Sequence, residues 1–506
     1  MKRPCIWRKR ALSAFGVAQI LLQPFPGLNA QAPTSQTSPQ TPGSTTEMMQ
    51  RALAGNAQAQ AMVGWMYQTG NGVKQDYAYA FAWDTKSAKQ GNAQGESNLG
   101  ELYRYGWGVP KDEAQAFAWM QKAANQNLAV AEENLSDFYQ SGVGVPKDPV
   151  QAFAWVEKAA KQGDAAGEWG AGMLLLTGVG VRQDYAQAFA WLQKAAKQGL
   201  APAESGVGEL YLKGVGTPQD YAQALAWLQK AAAQGEPRSE NDLGSMYLNG
   251  WGVPKDLTQA LAWCQKAADQ GNLVSEDTVG TFYLFGWGVP KDLSKALFWV
   301  QKAADGGLPT AEDHVGKFYL NGWGVAEDYP RAITWFQKAA GHGDASAQTE
   351  LGNLYMNGVG VPKDLGQAVA WFQKAAAQGD APGQDNLGGM YERGLGVQQD
   401  LTQAMALYQK AANQGFSPAQ NNIGSLYARG LGVPKDNAEA VRWFQKAAAQ
   451  GNPLAQVNLG WMYQHGLGVQ QNSAQAAAWY EKAAAQGNSL AKSNLEALRA
   501  GNAKAQ

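Results

Sequence analysis

Twelve times, at intervals of 36 residues and without one insertion or deletion, the same loop returns in this chain. It reads Gly-x-Gly, usually continued as Val-Pro-Lys-Asp. It opens at Gly70, Gly106, Gly142, Gly178, Gly214 and Gly250, then at Gly286, Gly322, Gly358, Gly394, Gly430 and Gly466. A fixed period between about 20 and 50 residues marks a stack of supersecondary units, none of which can bury its apolar face alone. Such a stack offers a surface that binds rather than a pocket that reacts.

Residues 92–127 serve as the type unit. Asn92 is placed to cap a first helix whose small or apolar positions are Gly95, Leu99, Gly100 and Tyr103, one stripe at helical spacing. The column through Gly95 stays small (Ala131, Gly167, Ala203, Ser239, Ser275, Ala311), and that through Gly100 is glycine except at Ser136. Glycine inside a helix costs about 1 kcal/mol against alanine, so its recurrence implies close helix–helix approach. Tyrosine follows three residues later from Tyr67 to Tyr463, with Leu175 the exception. Gly106-Trp107-Gly108 breaks the helix, Asp112 caps a second one, and Gln115 completes a capping box. The column through Trp119 fails only at Leu407 and reads as core wedges between neighbouring units. Asn127, or glycine elsewhere, ends the helix.

The order small-x-x-x-Leu-Gly-x-x-Tyr, Gly-x-Gly-Val-x-x-Asp, Ala-x-x-Trp-x-x-Lys-Ala-Ala resembles the Sel-one-like repeat (SLR) family, relatives of tetratricopeptide repeats. Residues 92–127 carry it as Asn98-Leu99-Gly100, Tyr103, Gly106-x-Gly108-Val109, Asp112, Trp119 and Lys122-Ala123-Ala124. The resemblance spans roughly residues 47–500 and implies an α-solenoid adaptor, a scaffold for protein complexes that bacteria often export to the envelope. Some secreted relatives with paired cysteines bind or hydrolyse β-lactams; this chain lacks those cysteines. The expected fold is all-α: a right-handed α-solenoid, or superhelix, of twelve helix–turn–helix repeats over residues 47–506. Met48–Ala54 and Ser489–Ala500 read as capping helices, and Glu496 replaces the packing glycine where no neighbour follows.

The first thirty residues differ from the rest. Lys2, Arg3, Arg8, Lys9 and Arg10 precede an apolar stretch from Ala11 to Leu22, and Leu28-Asn29-Ala30 offers cleavage before Gln31. That order predicts a signal peptide over residues 1–30 and a periplasmic or secreted protein. An uncleaved N-terminal anchor is the alternative, although twelve apolar residues fall short of the ~20 that span a bilayer. Residues 31–46, rich in Pro, Ser, Thr and Gln, predict a disordered linker. Without the five leader charges, 36 Lys and Arg face 42 Asp and Glu. That balance argues against nucleic acid as the partner and against stable membrane insertion after cleavage. Cys264 then stands alone and reads as a small core hydrophobe.

Motifs for chemistry are weak. His314, His342 and His465 fall in different repeats without ligand spacing, and read as solvated surface histidines. Ser489-x-x-Lys492 has the spacing of a penicillin-recognising nucleophile but no accompanying motif. No cofactor or metal is expected, and no catalysis.

The repeats differ most at positions equivalent to 97, 101, 104 and 105, the side that lines the concave groove in the related tetratricopeptide folds. The 104 column carries Leu212, Leu248, Leu284 and Leu320, and the 97 column Asp277 and Asp313. The loop residue between the glycines is Trp251, Trp287 and Trp323 in three consecutive repeats. Two readings stay open for these residues: packing against the adjacent unit, or an apolar strip with an acidic margin that holds a protein or peptide partner. The indoles alternatively suit sugar rings of a cell-wall glycan. A further column, Glu96 to Glu312 and then Gln348 to Gln456, reads either as a charge division of the array or as a buried hydrogen bond to the neighbouring repeat.

Overall fold

The structure, a computed structural model, describes residues 45–504, and among the described residues it is 26 helices without a strand. We count each repeat from the first residue of its first helix: repeat 1 from Ala57, repeat 2 from Ala93, and so on to repeat 12 from Pro453. In repeat 2 the helices run Ala93–Tyr105 and Glu113–Asn125, 13 residues each, about 20 Å long.

Local chemistry sets these boundaries. Asn92 Oδ1 accepts from the Gly95 amide and Asp112 Oδ1 from the Gln115 amide, both at 3.0 Å, satisfying donors that a helix start leaves orphaned. Gly106, at φ 72°, ends the first helix in the left-handed region, its N–H donating to Leu102 O. The Asp112 amide then reaches back to Tyr103 O at 3.0 Å and closes the loop. Gly108 has a second duty. A Cβ there would run into the carbonyl of Tyr77, where the second helix of the preceding repeat begins. The second loop glycine is therefore a docking point between repeats as well as a turn.

Each core lies between repeats. Ala116, Met120 and Ala124 of repeat 2 close on Ala131, Leu135 and Phe138 of repeat 3, and Trp155 packs against that cluster from the next second helix. The fully buried wedge is the residue after the tryptophan: Met120, Leu192, Phe336, Phe372 or Tyr480. The tryptophans lie against these inter-repeat cores as expected, Trp155, Trp191, Trp335 and Trp479 among them, but from a half-buried position. Trp119 is half-buried and carries the Lys122 ammonium 3.9 Å from its ring centroid. The same Trp-x-x-Lys cation–π pair recurs at Trp191, Trp263, Trp371 and Trp479. Cys264 is buried beside Ala268 and Val279.

The chain divides into two compact units at Lys255/Asp256, within repeat 6. Within them, first helices of successive repeats touch (repeats 1 and 2, 3 and 4, 5 and 6, 9 and 10), while successive second helices stand further apart. Each stack therefore bends with its first helices on the inside.

At the N-terminal end a helix from Thr45 to Leu53 seats Ala52 on Ala59 and Val63. Thr45 and Thr46, assigned above to the linker, belong to this helix; the remainder of the linker and the leader lie outside the described residues. At the other end Ser489–Lys504 closes the stack with Ala491, Leu495 and Leu498 on Tyr480, leaving Glu496 exposed. Among the described residues no helix is long and apolar enough to cross a membrane.

Candidate functional site

The glutamate–glutamine column explains what holds helix pairs together and removes it from the binding surface. Glu96 Oε2 accepts from Gln126 Nε2 at 2.7 Å, Glu168 from Gln198 at 2.9 Å and Glu204 from Gln234 at 2.8 Å. Gln348, Gln384, Gln420 and Gln456 accept in the same way from Gln378, Gln414, Gln450 and Gln486. That partner is 30 residues on, at the end of the second helix of the same repeat. The expected bond to the neighbouring repeat is present as well: Gln348, Gln384, Gln420 and Gln456 donate to Ala340, Ala376, Ala412 and Ala448 O of the preceding repeat, and Gln198, Gln234 and Gln414 to Gly163, Gly199 and Gly379 O. Burial pushes the Glu96, Glu168 and Glu204 carboxyls up, against the opposing pull of their glutamine donors.

The leucine column also belongs to the stack. Leu212 and Leu248 are 7% and 4% exposed and offer almost no surface to a partner. Leu284 and Leu320 are half-buried, Leu284 against the Val300–Phe318 core and Leu320 against the Phe336–Leu351 core. The physical reason is the curvature: the 104 position points at the first helix of the next repeat, which the bend brings close. The loop indoles are likewise engaged. Trp251 stacks on Tyr221 at 6.4 Å, Trp287 on Phe285 at 5.1 Å, and Trp323 meets the edge of Phe318 at 5.8 Å.

What remains for the inner face is the stripe through positions 94, 97, 98, 101 and 105 of the first helices. In the first unit it is acidic. Glu101, Glu133 and Asp137 lie together with Asp164, and Arg104 pairs with Asp137. Burial, with the charges of Asp164, Asp137 and Glu101, pushes Glu133 up to about 8. Further along, burial and the nearby Glu209 push Asp242 to about 8 as well.

In the second unit the stripe is a network. Asp277 Oδ1 meets His314 Nδ1 at 2.7 Å. Asp313 is 3% exposed and pairs with Lys317, which donates to Ser346 Oγ at 3.0 Å. His342 Nδ1 lies 2.9 Å from Glu312 Oε2, and His465 Nδ1 3.0 Å from Trp461 O. The expectation of solvated histidines is corrected for His314, which Asp277 holds because helical stacking sets column 98 of one repeat beside column 97 of the last. His342 and His465 are exposed, as expected, each with one polar contact. From repeat 9 onward amides take over. Asn386 donates to Asn353 at 3.1 Å, Asn422 to Asp385 at 2.9 Å and Asn458 to Asn421 at 2.9 Å. At the far end Leu454, Trp461 and Leu490 are 57%, 44% and 55% exposed.

Of the residues singled out from sequence, Asp277 and Asp313 join this network, Asp313 from a buried position. The 94 and 98 columns were missed. The signal was present: column 98 reads Asn98, Asn134, Asn386, Asn422 and Asn458, five amides at one helical position. As chemistry, the network is one of fixed pairs. Ser346 and Lys317 have the composition of a nucleophile–base dyad, but Lys317 is already ion-paired with buried Asp313. Ser489 starts the capping helix and Lys492 is exposed on it. Among the described residues no group of three or more His, Cys, Asp or Glu is arranged to hold a metal ion.

A family model described as Sel1 repeat matches twelve segments, from residues 57–92 through 453–488, eleven of them 36 residues long and the seventh covering 279–308. Among solved structures, the chain is similar to a protective antigen of uropathogenic Escherichia coli strains that displays an SLR fold. That match has 34% identity and a TM-score of 0.61 over 90% of this chain and 97% of that one. It is also similar to a Sel1 repeat protein from Oxalobacter formigenes, with 36% identity and a TM-score of 0.43 over 61% of this chain and 89% of that one. No curated protein matches.

Proposed function

Because the chain belongs to the Sel1 repeat family, whose members are generally non-catalytic protein-interaction scaffolds, we propose that it is an exported scaffold for another envelope or secreted protein. The partner lies against the inner face of the first helices. The observation that carries this reading is the division of labour between columns. Stacking positions repeat from unit to unit, while the inner stripe varies along the array and keeps unused bonding capacity. Asn422 and Asn458 spend their amide nitrogens on the preceding repeat, and their carbonyl oxygens are available to the main chain of an extended segment. Leu454, Trp461 and Leu490 supply an apolar anchor beside them. The basic, then apolar start of the chain supports export, as does the similarity to a protective antigen.

Photo-crosslinking from the native chain tests the reading. A photoreactive residue at Asp277 or Trp461 should yield a discrete protein adduct, and one at Phe298, exposed on the second helix of repeat 7 (Leu293–Asp305), should not. Equal capture from Phe298, or no protein adduct from either inner position, refutes it. A glycan adduct would favour the polysaccharide alternative. A mature N-terminus at Gln31 is expected, and retention of Met1 removes the export part.

A further inference from the structure

We infer that repeats 7 and 8 form a pH-sensitive joint, in which two histidine–carboxylate pairs stand where later repeats use amides, so that mild acid tightens this part of the stack.

The first pair joins neighbouring repeats. Asp277 lies on the first helix of repeat 7 (Leu273–Phe285) and His314 on that of repeat 8 (Pro309–Asn321), 2.7 Å apart. The equivalent pairs further along the second unit are Asp385 with Asn422 and Asn421 with Asn458. The second pair ties the two helices of repeat 8. His342 stands where repeats 9 to 12 have Gln378, Gln414, Gln450 and Gln486, and it takes fully buried Glu312 at 2.9 Å. The preceding rung is weakened. Gly306 replaces its glutamine, Glu276 keeps only Lys302 at 2.8 Å, and its Oε2 is buried without a hydrogen-bond partner.

An amide hydrogen bond does not respond to pH near neutrality, whereas an imidazole facing a carboxylate does, because protonation converts the contact into an ion pair. The charge balance around His314 favours its protonation. His314 faces Asp277 from repeat 7, Asp313 and Lys317 on its own helix, and Asp344, which caps the first helix of repeat 9; Glu350 lies further along that next helix. His342 faces Glu312, which also holds Lys338 at 3.0 Å. Beside His314 the carboxyl groups of Asp277, Asp313 and Asp344 meet one permanent cation, Lys317. Burial alone would lower the His314 pKa, but the charge and hydrogen bond of Asp277 outweigh it and raise it. Its stabilisation is complete below the unfolded value of about 6.5 and is lost as pH rises through the folded value. Asp344, pushed up to about 6 by burial and by Asp313, acts in the same direction. Its neutral form is the one the fold prefers, and that preference disappears as pH rises through about 6.

Native-state amide exchange on the full chain tests this, with protection corrected for intrinsic chemistry and compared between about pH 5.5 and 7.5. Wild-type protection in the helices of repeats 7 and 8 should fall several-fold with rising pH, while repeats 10 to 12 hold level. His314→Asn with His342→Gln installs pairs that the chain already uses elsewhere, and in that double variant the response should shrink to the part that Asp344 contributes. The inference is overturned if repeats 7 and 8 move no more than repeats 10 to 12, or if the double variant retains the full wild-type response. An NMR titration of wild-type His314 is the second readout: a midpoint above about 6.5 that drops in Asp277→Asn is expected, and a midpoint at or below that value overturns the assignment.

Discussion

Gly316→Ala tests the packing that sets the curvature. Gly316, on the first helix of repeat 8, faces Phe336 on the second helix of the same repeat (Tyr329–Gly341). A Cβ built on Gly316 would stand 2.6 Å from the nearest ring carbon, and Phe336 is fully buried, so the ring cannot swing into solvent. Overpacking of this kind costs roughly 1–3 kcal/mol. Replacing a helical glycine by alanine returns about 1 kcal/mol. The net expectation is a loss of about 0–2 kcal/mol. Phe336→Leu alone leaves a partly filled site and destabilises by about 1–2 kcal/mol. In the double variant the added methyl occupies the space that the ring vacated, so the two losses should not add; a coupling of about 1 kcal/mol or more is expected. Long repeat arrays do not unfold in one step, so the quantity to measure is the opening free energy of repeat 8 by amide exchange, in all four members of the cycle. Additivity within about 0.5 kcal/mol would refute the claim that this glycine is required by close approach to Phe336.

Gln198→Ala should destabilise repeat 4 by about 1–3 kcal/mol, because it leaves the buried Glu168 carboxylate short of its donor; amide exchange in the helix Ala165–Thr177 reads it. Gln378→Ala, on a neutral rung with Gln348, should cost only about 0.5–1.5 kcal/mol by the same measurement. Glu133, pushed up to about 8, is held largely neutral by the fold at neutral pH. Its contribution to stability is complete below about pH 4.5 and disappears as pH rises through about 8, so Glu133→Gln should flatten the stability–pH slope of the first unit across that window. Trp461→Ala should change thermal stability little, within about 0.5 kcal/mol for an exposed side chain, while reducing capture of the crosslinked partner.

Much of the fold was legible because its determinants are local. The caps at Asn92 and Asp112, the left-handed Gly106 and the periodic stripe Gly95–Leu99–Tyr103 act within a few residues of one another, and each appears where sequence placed it. The binding face was less legible. Leu212, Leu248, Leu284 and Leu320 look like a groove on a helical wheel, since a wheel shows which side a residue is on and not what stands opposite. Gly108 reads as a turn until the Tyr77 carbonyl is found against it. His314 reads as solvated until the first helix of repeat 7 delivers Asp277.

By itself the amino-acid sequence settled the period, the helix ends, the all-helical class and the Sel1 family, because backbone geometry, capping and apolar spacing are short-range properties that recur in every 36 residues. Only the tertiary structure decided which stripe of the first helices stays open. That depends on how closely a first helix approaches its own second helix and the next repeat, a distance set by side-chain volumes far apart in the chain, such as Phe336 against Gly316. The bend that results buries Leu212 and Leu248, half-covers Leu284 and Leu320, and leaves Asn422, Asn458 and Trp461 accessible on the inner face.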